Sequence, residues 1–470
     1  MTDVDLLARA AAEAANGFEA LGRTGRAALL DQAAEALESD RQGIVEIADR
    51  ETRLGDTRLD GELTRTCYQL RLFGTVLREG SYLEATIDSP ADTPMGPRPD
   101  LRRMLVPVGP VGVFGASNFP LAFSVPGGDT ASALAAGCPV LVKAHPSHPE
   151  TSRRTYDALN AVLPAGVLGL VEGYEAGVQL VQHQAVKAVG FTGSTAGGRA
   201  LFDLAAARPE PIPFYGEMGS LNPLVVTPGA AGERPGEIAA GYIGSMTLGT
   251  GQFCTKPGLI FVPAGADGLR SALAEGVAAL PAGPMLNDAI QEAFQAEVQR
   301  RRADTRLTLL GEGVAGDGDG VPALFAVTAG DLDGELLEEC FGPSALVVEY
   351  TDLPDLLAAL DRLNGQLTAS VHTADGEDET VRELHEALRR RAGRLIFGGY
   401  PTGVAVAWAM HHGGPYPATT VSGHTSVGAT SIRRWLRPIS YQNAPASVLP
   451  EELRDGNRAG VPRRINGTLE

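Results

Sequence analysis

Cys254, in the run GTGQFCTKPG, is the first residue whose setting suggests chemistry. Glycines on both sides let the backbone approach a ligand closely. A thiol there becomes a good nucleophile once its pKa is lowered. Glu217 follows an apolar strand and a glycine in PIPFYGEMGSLNP, with a second glycine two residues on. Partial burial would lift such a carboxyl toward the range of a general base. Asn118, in GASNFP, stands at the end of a predicted strand, where a side-chain amide can donate to a developing oxyanion. Taken singly, each has a plainer reading: a small buried hydrophobe, an exposed loop carboxylate, a turn-forming asparagine.

A second group of residues has the types that hold phosphates and sugars. Lys143 ends the apolar run CPVLVK, so it is either a solvated strand terminus or a partner for a ribose hydroxyl or a phosphate. Gly193, Ser194 and Gly198 lie in FTGSTAGG, a glycine-rich turn opening a helix. Such a turn can seat a pyrophosphate at the helix N-terminus. It is not the GxGxxG pattern, and alone it is weak.

The elements that position these residues alternate. Residues 3–90 are Ala- and Leu-rich with charged faces and predict helices. SPADTPMGPRP (89–99) reads as a connector. Then come strand Val111–Phe114, a largely helical 121–136 closed by Gly137, strand 139–143, a helix over about 150–163, strand 167–171 and strand 188–191. Strand, helix, strand in this rhythm implies a parallel sheet covered on both faces. A second alternating stretch starts near residue 222, with strands at Leu224–Val226 and 259–262 around a helix near 236–248. The boundary falls near 219–222. GEGVAGDGDG (311–320) has the composition of a surface loop.

Composition narrows the class. The chain has 470 residues, enough for two or three domains, and a formal net charge of −18. An acidic surface repels nucleic acid and anionic lipid, so neither is expected as a partner. The cysteines (Cys67, Cys138, Cys254, Cys340) are widely spaced, with no CxxC pair, which argues against a zinc knuckle or a disulfide framework. Free cysteines in an acidic chain fit a reducing cytoplasm. The first residues lack the basic and apolar regions of a secretory signal, and no apolar run approaches the roughly 18–20 residues that span a bilayer. His411 and His412 lack metal-ligand spacing to acidic partners, so they read as loop packing or substrate-mouth residues, and no metal is expected. Trp408 reads as core, and Cys138 as buried.

Order and spacing change the weight of these signals. SNFP (117–120), VLVK (140–143), FTGST (191–195), EMGSLNP (217–223), GQFC (251–254) and EECFGP (338–343) occur in that order, and together they resemble the aldehyde dehydrogenase superfamily over nearly the whole chain. The resemblance implies an α/β fold with three parts. A doubly wound cofactor-binding domain takes 1–218, less 97–107. An α/β catalytic domain takes 219–398. Residues 399–470 return to the cofactor domain and, with 97–107, build a small β oligomerisation arm from about 430–445. It implies a homodimer or homotetramer.

The resemblance also assigns roles. Cys254 attacks an aldehyde as a thiolate. The Asn118 amide and the Cys254 backbone N–H hold the oxyanion. Hydride passes to NAD or NADP, and Glu217 activates the water that releases the acid. Gly193 and Ser194 contact the cofactor pyrophosphate, Lys143 and Glu339 hold its riboses, and Phe341 packs near the nicotinamide ribose.

Residues 115–149, 208–223 and 410–420 resemble the α-ketoglutaric semialdehyde (2,5-dioxopentanoate) dehydrogenases, which implies oxidation of that semialdehyde to 2-oxoglutarate. NADP-dependent fatty aldehyde dehydrogenases share much of this wording, so a medium- or long-chain aldehyde, or another semialdehyde, is the alternative. Rivals of other classes are a non-catalytic protein on this fold and a thioesterase or acyl-CoA-forming enzyme. Intact Cys254, Glu217 and Asn118 argue against the first, and intact Glu217 against the second. The subgroup's Asp-Ser-Arg after PATT is absent from 421–424, where His424 would replace the arginine only when protonated. Pro146 lacks the acid that repels a 2′-phosphate, whereas 171–177 lacks an arginine to bind one. The balance leans slightly to NADP.

Overall fold

The computed structural model describes residues 2–316 and 318–470. Asp317, in the tract read as a surface loop, lies outside the described residues. Four helices, Val4–Ala20, Gly22–Ser39, Arg41–Thr52 and Asp56–Glu79, occupy the N-terminal segment expected to be helical. Asp3 caps the first by accepting from the Leu6 N–H.

A five-stranded sheet follows, in the order Leu168–Val171, Val140–Lys143, Val111–Phe114, Ala188–Thr192, Phe214–Glu217, parallel throughout. Its strands are short apolar runs because both faces are covered. Val140 and Val142 enter one hydrophobic core while Leu141 enters another, the period-2 alternation of a pleated strand.

A second sheet has seven strands, in the order Thr308–Glu312, Ala323–Thr328, Ser344–Tyr350, Leu259–Pro263, Leu224–Val226, Gln366–His372, Ala392–Phe397. Only the edge strand Thr308–Glu312 is antiparallel to its neighbour. Two further cores cover its faces. A third sheet joins Leu101–Pro107 antiparallel to Leu436–Gln442, with Thr86–Asp88 and two short C-terminal strands on its other side. Among the described residues, no helix is long and apolar enough to cross a membrane.

Three sequence readings need correction. The helix expected over 121–136 starts only at Gly128. Upstream, the N–H groups of Leu121 and Ala122 donate to the buried Glu62 carboxylate at 2.8 Å instead of entering a helix, and Pro126 interrupts the segment. The connector at 89–99 folds into a hairpin, Ala91–Thr93 against Gly96–Arg98. Trp408 is 45% exposed, while Trp435 is the fully buried tryptophan.

Candidate active site

The candidate residues sit where strands end. Glu217 closes the strand Phe214–Glu217, Asn118 follows Val111–Phe114, and Lys143 ends Val140–Lys143. In open parallel sheets this is the ligand-binding edge. Cys254 comes from the other sheet's side, in the turn before Leu259–Pro263.

The segments that carry Glu217 and Cys254 are tied directly. Asn222, five residues after Glu217, donates from Nδ2 to the carbonyls of Cys254 at 2.8 Å and Lys256 at 3.0 Å. Gln366 Oε1 accepts from the N–H of Leu221 and of Asn222, fixing that loop in turn. Asn118 Nδ2 donates to the Gln252 carbonyl at 2.9 Å, which leaves its second N–H for another acceptor beside Cys254. The helix Asp56–Glu79 supports the Asn118 loop from one face. Arg58 donates to the Asn118 carbonyl at 2.6 Å, and Glu62, one turn on, holds Leu121 and Ala122.

His412 joins this group. Its Nε2 lies 3.5 Å from Cys254 Sγ and 2.8 Å from Glu217 Oε1, the latter without a well-aligned hydrogen bond. The side chains of His412 and Glu217 are 1% and 3% exposed. The sequence reading placed His412 in loop packing or at the substrate mouth and saw no acidic partner. The correction is tertiary. Segment 417–420 runs beside the strand that carries Glu217, through Met218 N–H to Ala418 O and Gly216 N–H to Thr420 Oγ1, both 2.8 Å. Ser426, also missed, donates from its hydroxyl to Glu217 Oε2. A histidine and a serine close to a PATT segment were the only signals in the sequence.

Electrostatics set the resting protonation. Burial first, then the Glu217 charge, push the Cys254 thiol well above its ordinary value, so at neutral pH it is S–H. Burial acts to raise Glu217 as well, but His412, the Ser426 hydroxyl and the Cys254 thiol outweigh it and hold the carboxyl below its usual value. His424 is lowered by burial and by the charges of Arg434 and Arg433, so it is neutral near pH 7 and does not stand in for an arginine. Its ring meets Tyr215 edge-on at 5.1 Å.

The residues expected to hold a cofactor lie on neighbouring loops and strand ends. Ser194 caps the exposed N-terminus of the helix Thr195–Ala206, and the Gly193 N–H donates to the Glu217 carbonyl at 3.1 Å. A Cβ on Gly219 would lie 2.6 Å from Glu339 Oε2 and 3.1 Å from Thr195 Oγ1, so the Glu339 carboxylate closes on this helix start. Burial pushes Glu339 up to about 7, against the charge of Lys256. Lys143 is half-buried, lowered by that burial, and has no carboxylate partner among the described residues. Phe341 is half-buried on the Glu339 loop. That loop touches the cysteine loop: a Cβ on Gly251, at φ +66°, would sit 2.4 Å from the Gly342 backbone. Buried Lys256 reinforces the join, donating to the carbonyls of Cys340 at 2.6 Å and Ser344 at 2.8 Å. A capped helix N-terminus with a carboxylate beside it, and a strand-end lysine without a carboxylate partner among the described residues, are groups of the kinds that fit a dinucleotide.

A profile of the aldehyde dehydrogenase family matches residues 1–416. The chain belongs to this family. It is therefore an oxidoreductase that oxidises an aldehyde with NAD(P). It is 45% identical to α-ketoglutaric semialdehyde dehydrogenase 2 of Azospirillum brasilense, over all of this chain and 92% of that one. It is 41% identical to α-ketoglutaric semialdehyde dehydrogenase of Acinetobacter baylyi, with the same coverage. Among solved structures it resembles a proline utilization A protein of Bradyrhizobium japonicum, with TM-score 0.80 and 25% identity over 93% of this chain. This aldehyde dehydrogenase spans 44% of that longer protein.

Proposed function

We propose that this aldehyde dehydrogenase oxidises α-ketoglutaric semialdehyde to 2-oxoglutarate, as its two named relatives suggest. The observation that carries the choice of an acidic aldehyde is a pair of arginines. Arg65 donates to the Val404 carbonyl at 3.4 Å, and Arg394 donates to Gly403 and Pro401 at 3.0 and 2.6 Å. Both guanidiniums thus converge on one loop and neither forms an ion pair among the described residues; Arg65 feels the charge of Glu62 first, and both arginines favour a negative charge at Cys254. The Arg394 Nε is buried without a partner. Two unpaired guanidiniums beside the nucleophile suit a substrate carboxylate.

In this reading Cys254 Sγ attacks the aldehyde carbon, and its proton passes through the Glu217–His412 pair to solvent, leaving Glu217 ionised. The Asn118 amide and the Cys254 N–H hold the oxyanion. When bound, the nicotinamide cofactor supplies the hydride acceptor, and loss of hydride from the adduct leaves a thioester on Cys254. Glu217 then takes a proton from water, the hydroxide attacks the thioester carbon, and the acid leaves as the thiol is restored.

Lys143 and Glu339 would hold the riboses, Gly193 and Ser194 the pyrophosphate, and Phe341 the nicotinamide ribose. NADP is slightly favoured over NAD, since Pro146 supplies no acid to repel a 2′-phosphate, while 171–177 supplies no arginine to bind one. The domains are taken as 1–218, 219–398 and 399–470, with 97–107 in the arm, in a cytoplasmic homodimer or homotetramer.

The test is cofactor reduction with the dioxo acid and with neutral aldehydes of similar length. The dioxo acid should win, and Arg65→Met or Arg394→Met should cut its kcat/KM by about 10- to 100-fold while sparing neutral aldehydes. Equal losses for all aldehydes would remove the arginines from substrate selection.

A further inference from the structure

Glu217, Cys254 and His412 bring three unlike donor atoms to one point. A carboxylate oxygen, a sulfur and a ring nitrogen lie within 4.8 Å of one another. A tetrahedral zinc ion, with bonds of about 2.3 Å to sulfur and about 2.0–2.1 Å to nitrogen or oxygen, sets S and N about 3.5 Å apart and N and O about 3.3 Å apart. Here Sγ and Nε2 are 3.5 Å apart, and Nε2 and Oε1 2.8 Å. The first edge already has the required length, the second must open by about 0.5 Å, and the third, from Sγ to the carboxylate oxygen, lies within 4.8 Å where the ion asks for about 3.5 Å.

The donors are also held in place. Ser426 fixes Glu217 Oε2, which leaves Oε1 buried and without an aligned hydrogen bond. His412 is pinned on both sides of its backbone, by Thr425 Oγ1 on its N–H at 2.8 Å and the Ser426 N–H on its carbonyl at 2.9 Å. Such outer contacts fix ligand orientation in metal sites. Sulfur, nitrogen and one oxygen suit zinc and softer divalent ions, not magnesium or calcium, which take six or more oxygens. Cys67, Cys138 and Cys340 are buried, and this trio is the one group of its kind among the described residues.

We propose that Glu217, Cys254 and His412 form a site for a thiophilic divalent cation such as Zn2+, and that its occupancy reversibly blocks the enzyme. The metal takes the place of the Cys254 S–H proton, which goes to solvent, and no electron is transferred. Nucleophile and base are then capped together. The blockade rests on the catalytic roles proposed above; the binding does not.

Cobalt makes the binding visible. The full-length protein titrated with Co2+ should take up one ion per chain, with an intense thiolate-to-metal absorption band. Cys254→Ser should lose the band. His412→Ala and Glu217→Gln should each weaken Co2+ binding by at least about tenfold. Thermal melting of each variant, run in parallel, separates lost ligands from lost folding. Zn2+ should displace Co2+ and inhibit aldehyde oxidation, and a chelator should restore it. No band in the wild type, or His412→Ala and Glu217→Gln that stay folded and bind Co2+ as tightly as wild type, overturns the site. A protein that binds Co2+ as described but oxidises no aldehyde keeps the site and sinks the catalytic reading instead.

Discussion

The Cys254 thiol sits among groups that oppose its ionisation, burial first and then the charge of Glu217. In the proposed mechanism the same carboxylate takes protons from the thiol and from water. Removing its charge should therefore separate two properties that ordinarily travel together. In Glu217→Gln the thiol ionises more readily. A tenfold gain in thiolate gives back about threefold in intrinsic nucleophilicity, so alkylation by iodoacetamide at neutral pH should speed up by about threefold for each such gain. Acid formation should fall by about 10²- to 10⁴-fold, the usual worth of a general base. Alkylation followed by mass spectrometry, beside turnover, reads both. Slower alkylation in this variant would mean that Glu217 assists the thiol more than its charge suppresses it.

The helix Asp56–Glu79 shows how an element distant in sequence shapes the site. Arg58, Glu62 and Arg65 share the face turned to the 118–123 loop, with Arg58 and Arg65 also lying over the rings of Phe119 and Phe123 at 5.0 Å. Glu62 is the anchor, because one carboxylate oxygen satisfies two backbone N–H groups that have no helix to enter. Glu62→Ala should leave both unpaired and cost about 2–6 kcal/mol, at 1–3 kcal/mol per buried group. Glu62→Gln keeps an acceptor oxygen and should recover most of that stability and the activity. Urea unfolding midpoints and kcat/KM for the pair decide it. Equal damage from both variants would show that the charge, not the acceptor, matters.

Across the whole molecule, buried polar links join segments far apart in the chain. Arg434, 3% exposed, pairs with Asp129, 11% exposed, and so fastens the C-terminal stretch leading into Leu436–Gln442 to the helix Gly128–Ala136. Arg434→Ala leaves Asp129 as an unpaired buried charge and should destabilise the fold by about 3–5 kcal/mol, read from denaturant unfolding. A loss below about 1 kcal/mol would place the pair in the class of surface bridges.

The sequence made legible the parallel-sheet rhythm and the candidate residues Cys254, Glu217, Asn118, Lys143 and, through motif order alone, Glu339, because strand hydrophobicity, glycine turns and motif order are local properties. It missed the hairpin at 91–98 and the late start of the helix at Gly128, since turn residues read alike in a connector and a tight hairpin, and no local pattern reveals that Glu62 captures two N–H groups from another segment. Only the tertiary structure brought His412 and Ser426 onto Glu217, and Arg65 and Arg394 onto one loop. The contacts of His412 and Ser426 with Glu217 span about 200 residues of chain and that of Arg65 with Val404 spans 339, and they are set by how the edges of two sheets and one N-terminal helix pack together, which no spacing along the chain encodes.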